Sequence, residues 1–224
     1  MTSTNIPVAE RQGSLAFTRP PLLIYDLSVL WFSNTFVWKC PTTLILDFYN
    51  QHVASRHLEV GVGTGYFLDK CRFPVPVPDI TLVDLSRDSL HLSASRINRY
   101  QPHTICANVL QPLPLDTPFE SIGMNYVLHC LPGTMRDKAA VFRHLQSLLS
   151  NDGVLFGTTI LGKDVPQGVL ARSFNNTYNR TGIFSNLEDG TAELRTMLQR
   201  HFRVVTLDVV GCVAFFSARN PVRT

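Results

Sequence analysis

The chain has 224 residues, 45% of them hydrophobic and 17% charged, an apolar fraction that builds a core and excludes a disordered or collagen-like chain. Twenty Lys and Arg against seventeen Asp and Glu leave a formal charge of +3 with no basic run, which argues against nucleic acid or a membrane surface as partner. Five scattered cysteines (Cys40, Cys71, Cys106, Cys130, Cys212) contain no C-x-x-C pair and read as buried thiols of a reducing compartment.

In chain order, the opening residues MTSTNIPVAERQGSLAF lack a basic segment followed by an apolar one. No secretory signal is expected, a cytoplasmic location is, and the glycosylation patterns at Asn175 and Asn179 read as chance matches. Residues 1–55 read as a helical N-terminal segment. Leu22, Ile24, Leu27, Leu30 and Trp31 recur at helical spacing, as do Leu44, Ile45, Phe48 and Tyr49. Two helices are predicted, joined near 33–39, with Pro41 in the first turn of the second.

From 56 to 161 the period changes. Short apolar runs at 57–61, 79–85, 104–107, 121–127 and 153–161 read as strands, and the segments 66–71, 87–99 and 136–149 between them read as helices. This alternation predicts an α/β fold, a mostly parallel sheet with helices on both faces. Residues 162–186 form an insertion. Residues 187–224 read as a helix and two strands separated by Gly211, a gap too short for a crossover, so that pair is antiparallel. All of this fits one domain.

Glycines 61, 63 and 65 alternate directly after the first strand, in LEVGVGTG. Such a loop is either a plain strand-to-helix turn or a close backbone approach to a ligand. Tyr66 stands where a dinucleotide fingerprint needs glycine, so a nucleoside-like ligand without pyrophosphate fits better. Asp84 ends the second strand, nineteen residues after Gly65. It either accepts from both ribose hydroxyls or caps the next helix.

The motifs LEVGVGTG (58–65), LVDLS (82–86), CANVLQPLP (106–114), SIGMNYVLHCL (121–131) and LLSNDGVLFGTTIL (148–161) resemble, in order and spacing, the class I S-adenosylmethionine-dependent methyltransferases of the small type 11/12 group. The resemblance covers about half of the chain. It implies a Rossmann-like sheet of seven strands with one antiparallel edge strand. It implies S-adenosylmethionine as cofactor, with Gly61, Gly63 and Gly65 along its methionine and ribose, Glu59 at its amino group and Asp84 on the ribose. Leu85, Val109, Asn125 and Tyr126 would line it, and residues 1–55 would fold over it as a lid from which Tyr25 touches it. At the adenine the family's usual Asp is replaced by Asn108, whose amide oxygen also accepts, or which serves only as a turn residue.

His129 after the fourth strand is the candidate general base, or a structural histidine. The other histidines read as surface or packing residues. Trp38 and the ring-rich insertion residues Phe174, Tyr178 and Phe184 are, with His129, the candidate substrate surface. Nothing after the fifth strand resembles the Asp/Asn cluster of metal-dependent catechol methyltransferases, so no metal is expected. The expected reaction is methylation of a small, fairly apolar molecule of secondary metabolism, with O-methylation ahead of C- or N-methylation. The alternatives are the same cofactor repurposed for a cyclisation or dehydration, and a non-catalytic partner subunit.

Overall fold

The computed structural model describes residues 26–222. A π-helical segment, Asp26–Val37, leads into α1 (Thr42–His52). The expected joint near 33–39 shifts, because the first helical segment runs on to Val37. The turn follows at 38–41, where the Cys40 N–H reaches back to the Asn34 carbonyl at 2.8 Å. Strands β1 (Arg56–Val60), β2 (Asp79–Asp84), β3 (His103–Cys106), β4 (Phe119–Asn125) and β5 (Leu149–Ile160) follow, with α2 (Tyr66–Lys70), α3 (Arg87–Arg96) and α4 (Met135–Ser147) among them. The chain then forms α5 (Val169–Arg180), α6 (Thr191–Gln199), β6 (Phe202–Val210) and β7 (Val213–Pro221).

Local chemistry sets several of these boundaries. Ser86 caps α3 by accepting the Ser89 N–H at 3.2 Å. Asp137 reaches back from the first turn of α4 to the Thr134 N–H at 2.8 Å. Within 162–186, which the sequence reading left as an insertion without an element, α5 buries Ala171 and Asn175 on its inner face.

The seven strands lie in the order β3-β2-β1-β4-β5-β7-β6. β1 to β5 pair in parallel, and β7 runs antiparallel to both β5 and β6. The reversed strand is therefore one place in from the edge that β6 forms. Period-two alternation divides β1 between two layers. Leu58 and Val60 face a cluster with Ile122 and Met124 of β4 and with Val141, Phe142 and Leu198 of α4 and α6. Leu82 of β2 and Phe156 of β5 belong to the opposite layer, with Tyr49, Leu68 and Leu90 of α1, α2 and α3. Burial of each such side chain contributes about 1.5–3 kcal/mol. A third cluster caps the carboxyl ends of the strands and includes Trp38, Ile160 and Phe215. Not every cysteine is buried: Cys106 is exposed. Among the described residues no helix is long and apolar enough to cross a membrane.

Candidate active site

A cavity of about 520 Å³ opens at the carboxyl ends of β1, β2 and β4. β2 and β3 lie to one side of β1 and β4 to the other, the reversal of strand order where open α/β sheets bind ligands. The loop after β1 is shaped for close approach. Gly61 adopts φ +72° and Gly63 φ +52°, the left-handed region that favours glycine. A Cβ on Gly61 would stand 2.3 Å from Val127 Cγ2, whereas one on Gly63 would meet nothing within 4 Å. Gly61 is thus fixed by packing, and the open side of Gly63 faces the cavity.

Asp84 stabilises this loop. Its Oδ2 accepts the Val62 N–H at 2.9 Å and its Oδ1 the Ser86 N–H at 2.8 Å. Since Ser86 supplies the helix cap, Asp84 does more than cap. The backbone N–H groups of Leu85 and Gly63 also act on this carboxylate. Burial raises its pKa, and the backbone donors, Ser86 and Val62 first, restrain that rise. Asn108 Oδ1 accepts the Leu110 N–H at 3.0 Å, so it forms the turn and lines the cavity at once. Asn125, 7% exposed, receives the Thr158 hydroxyl at 3.1 Å on Oδ1, and its Nδ2 has no partner among the described residues.

The structure brings together Glu59, Gly61, Gly63, Gly65, Asp84, Leu85, Asn108, Val109, Asn125 and Tyr126, and, at the other end, Trp38, His129, Tyr178 and Phe184. Two expected residues are not among them. Phe174 does not line the cavity; it faces the third apolar cluster and supports Tyr178, ring centres 5.8 Å apart. Tyr25 lies outside the described residues. Among the described residues no group of three or more His, Cys, Asp or Glu could hold a metal ion.

At the far end of the cavity, rings surround His129. Phe184 meets the imidazole edge-on at 4.4 Å, Tyr178 lies 4.9 Å from Phe184, and Trp38 lies 6.1 Å from Phe184. The Ser185 N–H bonds the His129 carbonyl at 2.8 Å, which holds the Phe184 segment over the site. His129 Nδ1 accepts the Ile160 N–H at 3.2 Å and lies 3.3 Å from Thr159 Oγ1. Burial, with the Lys138 charge adding to it, pulls the His129 pKa down to about 3. At neutral pH the imidazole is therefore uncharged, with its proton on Nε2.

Sequence reasoning missed two groups. Asn34, in the π-helical segment, accepts from the Tyr126 hydroxyl at 2.9 Å and donates to Thr42 at 3.0 Å. Tyr126 itself sits at φ +58°, a left-handed conformation at the rim of the site. His57 is not a surface or bland packing residue: it is fully buried and lies 3.0 Å from Glu59. The available signal was two polar residues, i and i+2, on one face of a short buried strand.

Among the described residues the charged side chains lining the cavity are Glu59 and Asp84. With an unpartnered amide and an open glycine backbone beside them, they suit a cationic, nucleoside-bearing ligand.

Comparison with known proteins agrees. A family model described as "Methyltransferase domain" matches residues 58–155. The chain is 40% identical over 207 residues to the demethylluteothin O-methyltransferase of Streptomyces thioluteus, covering 92% of this chain and 90% of that protein. It is 37% identical over 214 residues to the physcion biosynthesis cluster O-methyltransferase of Aspergillus chevalieri, covering 94% and 96%. In fold it resembles the N-methyltransferase NodS from Bradyrhizobium japonicum in complex with S-adenosyl-L-homocysteine, with TM-score 0.58, 15% identity, and 96% and 97% of the two chains covered.

Proposed function

We propose, since this chain belongs to the class I S-adenosylmethionine-dependent methyltransferases of the type 11/12 group, that it methylates a hydroxyl of a small, planar, uncharged molecule in secondary metabolism. When bound, S-adenosylmethionine supplies a methyl group already activated by its positive sulfur. The two acidic side chains, Asn125 Nδ2 and the open side of Gly63 would hold it at the β1 end of the cavity.

The observation that carries the acceptor reading is the ring cluster beside His129, where Phe184 meets the imidazole and Trp38 and Tyr178 pack on Phe184. Such walls bind a flat apolar body and exclude water. Among the described residues both charged groups of the cavity are acidic, so an acceptor carboxylate would meet repulsion. A neutral hydroxyl fits, and O-methylation matches the printed names of the two relatives above.

In-line displacement needs the nucleophile at about 3–3.5 Å in the right direction, so positioning does most of the work. The structure argues for a changed role of His129. An effective base has a pKa near the working pH, whereas burial keeps this imidazole neutral with Nδ1 occupied. We read Nε2–H as a donor that holds the acceptor oxygen, and the acceptor as a phenol or enol that loses its own proton readily. The near-balanced charge supports a small-molecule partner over nucleic acid. The free cysteines support a cytoplasmic location.

The test is incubation of the purified chain with S-adenosylmethionine and a panel of phenols, enols, aryl carboxylic acids and amines, read by mass spectrometry. A gain of one CH₂ on phenols or enols is expected. Methylation confined to acids or amines, or no gain on any substrate class, sinks the acceptor reading. For His129, the acid limb of kcat/KM should move with the acceptor's pKa across the panel; a limb fixed near pH 6 for all acceptors would restore the general base.

A further inference from the structure

The layer beneath α1 is apolar except for one line of polar side chains. β1 and β4 pair with His57 opposite Ser121 and Glu59 opposite Gly123, so all four positions share a face. Tyr49 descends from α1 onto that face. Tyr49, His57 and Ser121 are fully buried, and Glu59 is 4% exposed.

The hydrogen bonds in this line have a direction. Ser121 Oγ accepts the Ala54 N–H at 2.9 Å and lies 2.8 Å from His57 Nδ1. The ring proton is assigned to Nε2, because that nitrogen faces Glu59 Oε2 at 3.0 Å and the Tyr49 oxygen at 2.9 Å, and a lone pair there would oppose the carboxylate. The Tyr49 hydroxyl donates to the same Glu59 Oε2 at 2.9 Å. Burial, followed by the Glu59 charge, pushes the Tyr49 phenol well above its ordinary pKa, so it stays a donor. Every bond thus converges on one oxygen of one carboxylate.

Space for that oxygen comes from Gly123. A Cβ there would lie 2.3 Å from Glu59 Oε2 and 3.1 Å from His57 Cε1. Of the four side chains, the one that lines the cavity is Glu59. As a device for stability alone the line is a poor choice, because apolar groups of the same shape in place of a hydrogen-bonded pair are nearly neutral. Its chemical effect is on Glu59: two donors fix Oε2 and set the plane in which Oε1 points.

We infer that Tyr49, His57 and Ser121 are positioning residues that fix Glu59 Oε2 over Gly123 and reserve Oε1 for the ammonium group of the methionine end of the cofactor. This rests on the cofactor reading above. It makes the network specific for one part of the ligand, which a core of merely structural value would not be.

The experiment is calorimetry with two ligands, S-adenosylhomocysteine and 5′-methylthioadenosine, which carries the nucleoside and thioether but no ammonium. Tyr49→Phe should weaken S-adenosylhomocysteine by about tenfold, the loss of a hydrogen bond to a charged group, and leave 5′-methylthioadenosine within about twofold. In a Glu59→Gln background Tyr49→Phe should cost little further, since its effect on the ligand runs through Glu59. Should Tyr49→Phe not fold, Ser121→Ala gives the same comparison from the far end of the line. Equal loss for both ligands, or no loss for either, overturns the inference. An unmutated chain that binds neither ligand removes the cofactor reading itself and the inference with it.

Discussion

Single residues decide what the glycine loop tolerates. Gly61 and Gly63 look alike in sequence and share a left-handed backbone, yet an added methyl group has opposite surroundings at the two. Gly61→Ala drives a Cβ into Val127 and should lower stability by about 2–4 kcal/mol, combining strain with overpacking. Gly63→Ala should cost only about 1 kcal/mol of stability from its backbone, while its methyl would enter the space proposed for the cofactor. Urea melts and calorimetry with S-adenosylhomocysteine on both variants check this: Gly63→Ala should lose affinity out of proportion to stability. Equal affinity loss per unit of destabilisation in the two would contradict it. The alternating glycines and Asp84 were legible because backbone geometry there restricts residue type. His57, Ser121 and Asn34 were not, because their meaning depends on which strand or helix lies alongside.

Elements are held over the site by a buried ion pair. Lys138 of α4, fully buried, bonds Asp189 and the Ser185 carbonyl, and Asp189 in turn receives the Gly162 N–H on its carbonyl. Burial pulls Lys138 down and pushes Asp189 up, and each charge opposes the other's shift. Lys138→Met leaves a buried carboxylate alone and should cost about 3–5 kcal/mol, while Lys138→Met with Asp189→Leu should recover most of that. Chemical denaturation of the three variants checks it; a double variant no better than the single would contradict it. The loop carrying Phe184 and Ser185 hangs from this pair, so acceptor KM should rise in the single variant. α5 was hidden in sequence although Ala171, Phe174, Asn175 and Tyr178 follow i, i+3, i+4, i+7. A buried asparagine broke the apolar stripe, and neighbouring polar residues imitate a loop.

At the scale of the whole molecule, the buried histidine makes stability depend on pH. His129 has a pKa of about 3 when folded against an ordinary 6.5. Between those values the unfolded chain takes up a proton that the folded chain refuses, so stability falls as pH drops through the window, by up to about 1.4 kcal/mol per unit. Burial lowers the pKa of His52 and His201 in the same sense. His129→Asn should flatten the dependence between pH 6.5 and 4 in urea midpoints, and an unchanged slope would contradict the assignment. The parallel sheet was legible from strand and helix periods because each reports one local geometry. The place of β7 between β5 and β6 was not, since a hairpin can dock on a sheet edge by either of its strands. That docking has a consequence for assembly. β6 touches the sheet through β7 alone, so nine residues already made must wait, unzipped, for nine that follow them before they gain a ladder.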